Sequence, residues 1–283
     1  MLHQRHITTS PVEVGKTTPF PLVQIANRNT LLHLIGLNTY HQFGQQYNPH
    51  FFFQQFSETL ATENKQVIHI WEDIWRQKPA IVLSRLNAMV GLSERIPARL
   101  TQIRRVDRPL ATQFLEMSHL QAVTLSKYRY GLYLPQRYFR VLSPEFQEQI
   151  PANESELLVA LATFSLPRRI ERDGKLYRSV ELVRFANRLN CTVVGGLDKL
   201  LKGFINEHRP DDIMTYADRD WSDGRSYEKL GFTRLILTEP QQFWLNPEKM
   251  ERYYPHRLPH EVSTHRLLPV YNSGSIKFVK LLI

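Results

Sequence analysis

"VELVRFANRLNCTVVGGLDKLLKGFINEHRPDDIMTYAD", residues 180–218, carries a strand pattern, a pair of glycines, a helix pattern and a second strand pattern, in that order. Leu197, Leu200, Leu201 and Phe204 recur at helical spacing and so share one face. Gly195 and Gly196 stand at the entrance, where a tight strand-to-helix turn needs residues without side chains. Strand, turn, helix and strand together predict a βαβ unit.

The surrounding segments extend it. Upstream, "LATQFLEMSHLQ" (110–121) reads as a short amphipathic helix, and "KYRYGLYL" (127–134) and "ESELLVALATFS" (154–165) read as strands. "PRRIERDGKLYRS" (167–179) reads as a hairpin connection turning at Asp173-Gly174. Downstream, "GRSYEKLGF" (224–232) reads as a short helix and "TRLILT" (233–238) as a strand. The order β-β-β-α-β-α-β after a leading helix implies an α/β (α+β) fold, a mixed sheet with flanking helices.

Nearer the N-terminus, "KQVIHIWED" (65–73) alternates like a half-buried strand, and "KPAIVLSRLNAMVGL" (78–92) has helical spacing with Gly91 as its stop. Residues 1–20 read as an irregular arm. "ERIPARLTQIRRVDRP" (94–109) reads as an arginine-rich linker, which puts a domain boundary near Glu94: a smaller α/β domain over 1–95 and a larger one over 96–283. The tail from Gln241, rich in Pro, Tyr, His and Arg, yields no assignment.

With 42% apolar and 11% aromatic residues the chain can build a real core. Its 36 Lys+Arg against 27 Asp+Glu give +9, which favours polyanionic partners such as nucleic acid. A lone cysteine, Cys191, cannot form an internal disulfide and suggests a reducing compartment. No stretch approaches the ~20 apolar residues of a membrane helix, and the start lacks a signal-peptide core, so a cytoplasmic protein with no membrane partner is expected.

The acidic stretch "YADRDWSDGRSYEKLGF" (216–232) invites a metal reading. Counted from Asp218, a calcium loop would need Gly at position 6 and Glu at 12, but Asp223 and Lys229 stand there. No metal is expected. Asp223-Gly224 reads as a turn capping the next helix. Asp218 ends a strand, where it either caps the loop or orients and deprotonates an amine.

"RSYEKLGF" (225–232) resembles the last helix of the GNAT acyltransferase superfamily, and the preceding order is similar over about residues 96–240. The resemblance implies that "VELVRFANRLN" is the family's splayed fourth strand. It implies too that the turn and helix after it receive the diphosphate of acetyl-CoA or another acyl-CoA, with Val193, Val194, Gly195, Gly196 and Lys199 as cofactor-binding residues. Backbone N–H groups at a helix start suit a diphosphate, although Asp198 in the first turn repels one. By the same resemblance Tyr227 protonates the leaving group and Asp218 handles the acceptor amine, with Tyr216 and His119 as neighbours. "TYADRDWSDGRSYEKLGF" is similar to the Mom-like, phage-type branch, which modifies adenine in DNA, and implies a nucleic-acid base as acceptor. Arg99, Arg104, Arg105 and Arg108, with Arg168, Arg169 and Arg172, are the candidate phosphate contacts.

"VIHIWEDIW" with "AIVLSRL" resembles the closing strand and helix of the very-short-patch-repair endonuclease fold. Such nucleases hold a metal on strand carboxylates, yet no Asp or Glu occurs from Val14 to Ser57. Glu72 and Asp73 are adjacent and point to opposite faces of a strand. Residues 1–95 are therefore expected to be a degenerate, inactive nuclease-like domain. Two other functions stay open: a non-catalytic nucleic-acid-binding protein, and a GNAT enzyme acting on a small amine or a protein.

Overall fold

The computed structural model describes residues 9–11, 18–25, 28–122, 124–172, 174–258 and 263–282. Most of the expected N-terminal arm, and Asp173 of the expected turn, lie outside them. The chain forms two compact units, one of residues 1–79, 216–229 and 233–278, the other of 80–215, 230–232 and 279–283.

The first unit opens with β1 (Thr9–Pro11), β2 (Leu22–Ile25), β3 (Thr30–Ile35), α1 (Leu37–Gln46), α2 (Phe52–Thr62), β4 (Gln66–Trp71) and α3 (Glu72–Gln77). The sheet order is β1-β2-β3-β4, with β3 and β4 parallel from Thr30↔Gln66 to Ile35↔Trp71. A parallel pair needs a long crossover, and α1 and α2 supply it. β4 was expected to be half-buried, but Val67 to Trp71 are all buried. A parallel strand within a covered sheet loses the alternation of a solvated one. Phe20, Ile35, Tyr40, Phe53 and Trp71 form the core here.

The second unit contains α4 (from Pro79 to Val90), β5 (Glu94–Pro97), β6 (Gln102–Arg105), α5 (Arg108–Ser118), β7 (Tyr128–Pro135), α6 (Pro144–Gln147), β8 (Glu156–Phe164), β9 (Arg168–Arg172), β10 (Lys175–Asn187), β11 (Cys191–Val194), α7 (Gly196–His208) and β12 (Asp212–Asp218), whose last residues from Tyr216 belong to the first unit. The order is β12-β10-β8-β7-β6, antiparallel except for the parallel β10–β12 pair. This is the expected mixed sheet with flanking helices. Phe204 of α7 stacks on Phe164 of β8 at 3.9 Å, and both are fully buried.

The expected linker at 94–109 is instead two strands. β5 runs parallel to β11, and β6 closes the sheet edge on β7. Ile96, Ala98 and Val106 are buried while Arg95, Arg99, Arg104 and Arg105 face outward. An edge strand tolerates such charges, which is why arginine density misreads it as linker.

The chain then returns to the first unit with α8 (Arg225–Glu228), β13 (Thr233–Leu237), β14 (Gln242–Asn246), β15 (Glu251–Tyr253), β16 (Leu268–Tyr271) and β17 (Ser275–Leu281), which ends in the second. The unassigned tail supplies a three-stranded sheet, β15-β14-β16, around the buried Leu245 and Val270.

Candidate functional site

β10 is the longest strand described, and its two sides behave differently. On β8 it pairs out to Asn187, with an irregularity between Leu182 and Arg184. On β12 the ladder covers only Ser179↔Asp212 to Glu181↔Met214. At the next step the Thr215 hydroxyl donates to the Leu182 carbonyl at 3.0 Å, a side-chain bond in place of a ladder bond. The start of the parallel pair is fixed by Asp212, fully buried, which accepts from Ser179 Oγ at 2.5 Å and forms an ion pair with Arg172.

The turn into α7 uses its glycines for different reasons. Gly195 is the N-cap with φ +76, a left-handed conformation, and an added Cβ would meet only the Ala98 Cβ at 3.7 Å. Gly196 is buried, and a Cβ there would lie 2.9 Å from that of Val193. The first glycine leaves the backbone open to approach and the second packs the helix onto β11. Val193 is buried in the β11–β5 ladder, and Val194 is exposed. Asp198 pairs with Lys202 at 2.7 Å, which offsets its charge in the first turn. Lys199 donates to the carbonyl of Ala98 at 2.9 Å and to that of Thr101, and burial lowers its pKa. Its ammonium group holds the β5–β6 connection. Cys191, also on β11, is buried and its thiol is pushed up to about 12, so it is no nucleophile at neutral pH.

Tyr216, Asp218 and Tyr227 lie in the first unit. Tyr216 is exposed. The Asp218 carboxylate accepts the Asp220 N–H at 3.0 Å, and its carbonyl accepts from Trp221 and Ser222 at 3.1 and 2.9 Å. Asp218 thus organises the loop that follows β12. Asp223 accepts from the Arg225 N–H at 3.2 Å at the start of α8. Tyr227 is half-buried, with its ring 5.5 Å from that of Phe278. His119 lies in the second unit at the end of α5, where its Nδ1 accepts from Gln121 N at 3.1 Å.

Of the candidate phosphate contacts, Arg99, Arg108, Arg168 and Arg169 are exposed. Arg104 pairs with Glu156 and Arg105 with Glu207.

The first unit holds a buried polar chain that the sequence did not reveal. Thr18 Oγ1 lies 2.8 Å from His33 Nε2, His33 Nδ1 lies 2.9 Å from His69 Nδ1, and His69 Nε2 lies 2.8 Å from Ser57 Oγ. His33 and His69 face each other across the β3–β4 ladder, each inside an apolar run ("LLHLI", "VIHIW"). That matched placement was the available signal. Burial, with His69 beside it, holds His33 well below the usual imidazole range, and burial, with Arg219 nearby, pulls His69 down to about 3. The spacing copies a nucleophile, a base and an orienting group. The chemistry does not follow. A base so weak is far from the pKa that serves near neutral pH. Ser57 sits inside α2, where backbone N–H groups are taken by the helix and none is left to stabilise an oxyanion. The chain is a neutral core network.

Glu72 and Asp73 are likewise structural. Glu72 accepts the Leu37 N–H at 2.9 Å at the start of α1, and Asp73 forms a two-pronged ion pair with Arg252 at 2.6 and 2.9 Å. Among the described residues no group of three or more His, Cys, Asp or Glu could hold a metal ion, and no helix is long and apolar enough to cross a membrane.

No protein-family model matches the chain, and no curated protein matches it. Similar solved structures include an acetyltransferase of Bacillus subtilis in complex with CoA, 10% identical, covering 65% of this chain and 99% of that one with a TM-score of 0.36. The NatC complex bound to Gag peptide and CoA is 13% identical, with coverage of 65% and 99% and a TM-score of 0.35. The KacTA–DNA complex is 18% identical, with coverage of 48% and 86% and a TM-score of 0.30.

Proposed function

We propose that this protein is a GNAT-type acyltransferase that takes an acyl group from acyl-CoA and passes it to an amine on a nucleic-acid base. The observation that carries the reading is the strand β10. Its parallel ladder to β12 ends after three pairs while the strand continues, and a glycine-entered helix of 13 residues follows. Backbone groups that leave a ladder need other partners. An amide-bearing chain such as the pantetheine arm supplies them in the manner of an added strand.

The turn fits the cofactor's diphosphate by backbone rather than by cation. Gly195 leaves room for close approach, the N–H groups opening α7 face outward from the helix start, and Lys202 offsets Asp198. Acyl-CoA when bound supplies the activated acyl group. Tyr227 is assigned the proton returned to the departing thiolate, and Asp218 the orientation of the acceptor amine. The exposed arginines Arg99, Arg108, Arg168 and Arg169 and the charge of +9 favour a polyanionic acceptor. The "YAD" strand end supports the Mom-like branch. Residues 1–95 are read as a degenerate nuclease-like region, supported by the structural engagement of Glu72 and Asp73.

The test is transfer of label from acetyl-CoA to DNA, RNA, free amines or protein. Label in nucleic-acid bases is the expected result. Label only in a small amine or protein rejects the acceptor, and no transfer to any rejects the activity. A second reading, a non-catalytic nucleic-acid-binding protein, is favoured by one observation: Lys199 spends its charge on the carbonyls of Ala98 and Thr101.

A further inference from the structure

The first unit holds an open cleft of about 900 Å3 that the proposed chemistry does not use. Its walls come from α1 and α2 and from the turn between them, residues 47–51. Gln42, Gln46, Asn48 and Gln55 line it together with Tyr47 and Phe51, and among the described residues no charged side chain does. Tyr47 is 62% exposed and Phe51 38%. Neither ring is isolated: Tyr47 stacks on Phe43 at 5.2 Å, and Phe51 lies 4.3 Å from the His50 ring.

This lining selects its ligand by exclusion. A charged group would find no counter-charge in the lining. An aliphatic group would strip water from four amides and give them no hydrogen bond in return. A flat heterocycle with donors and acceptors on its edge satisfies both the rings and the amides. That is the chemistry of an unstacked nucleobase, read by aromatic faces and polar edge contacts. The acid-free run from Val14 to Ser57 and the net +9 keep the region free of repulsion toward a polyanion.

We propose that this cleft binds an unpaired base of single-stranded nucleic acid. The inference rests on the nucleic-acid partner proposed above, not on acyl transfer. The test measures the full-length protein by fluorescence anisotropy against a labelled single strand of about ten nucleotides and an abasic strand of the same length. The base-bearing strand binds more tightly, by roughly 5- to 100-fold. Tyr47→Ala and Phe51→Ala lose most of that preference, Tyr47→Phe keeps it, and the abasic strand is held equally by all. Because both rings are exposed, unchanged melting temperatures verify that the variants fold. Equal affinity for both strands overturns the cleft and leaves the nucleic-acid partner standing, as does full preference in both alanine variants. Competition by a simple disaccharide overturns it in favour of a glycan cleft. Failure to bind either strand removes cleft and nucleic-acid partner together, while acetyl-CoA binding still reports on the donor side.

Discussion

The β11–α7 turn and the His33–His69 pair are two regions with opposite relations between geometry and chemistry. At the turn no side chain is placed for catalysis, yet the backbone is accessible: Gly195 is exposed, left-handed and nearly free of neighbours. At the histidine pair the spacings copy a catalytic relay, yet both imidazoles are fully buried and held neutral. Distances alone would choose the second region. Access chooses the first, and basicity rules out the second. Hydrogen-bond spacing identifies a functional site only when the same groups can reach a ligand and hold a useful pKa.

The largest expected effect is on the chemistry. Tyr227→Phe and Asp218→Asn should each lower acyl-transfer turnover by roughly 10²- to 10⁴-fold, the usual worth of a positioned proton transfer, while far-ultraviolet circular dichroism stays unchanged. Asp218 also accepts the Asp220 N–H, which the asparagine carbonyl can still do, so the isosteric change isolates the charge. Unchanged turnover in both variants would remove these residues from the reaction.

Next come effects on stability in the histidine region. Both imidazoles have folded pKa values below the unfolded value of 6.5, so the unfolded chain takes up protons that the native chain refuses. The contribution of the pair is therefore complete above about pH 6.5 and falls with pH below it, that of His69 being lost toward about pH 3. Near pH 5 the loss from His69 is about 2 kcal/mol. Asp220 works the other way, since burial raises its carboxyl and its contribution grows as pH falls. Urea titrations at several pH values on wild type and His33→Gln/His69→Gln would check this. A stability profile of equal slope in both proteins would contradict it.

The smallest effects separate the two glycines. Gly196→Ala should cost about 1–3 kcal/mol because its Cβ would lie 2.9 Å from that of Val193. Gly195→Ala should cost about 1–2 kcal/mol, from the left-handed φ of +76 alone. Denaturant midpoints resolve the two. A Gly195 variant costlier than the Gly196 one would mean that the turn is held by conformation rather than by packing.

The βαβ core was legible because its signals are local. Leu200, Leu201 and Phe204 repeat at helical spacing, and all three are buried. The helix at α4 and its stop at Gly91, with φ +84, were legible for the same reason. Four features were not. β5 and β6 carry arginines that look like linker until their partners, β11 and β7, are known. α2 lay hidden in an aromatic run, although Phe53, Phe56 and Leu60 already marked its buried face. The three-stranded sheet of the tail has strands of three to five residues, too short for a periodicity to declare itself. The histidine pair required the β3–β4 register, which joins residues 36 positions apart.

The account depends most on a diphosphate-bearing donor settling at the turn before α7, and calorimetric binding of acetyl-CoA to wild type and to Gly195→Asp tests that most directly. Wild type should bind, and at a hundredfold excess over Kd its stability should rise by about 2.7 kcal/mol. The added carboxylate should abolish both effects. No heat of binding in wild type, or equal binding in the variant, would contradict the account.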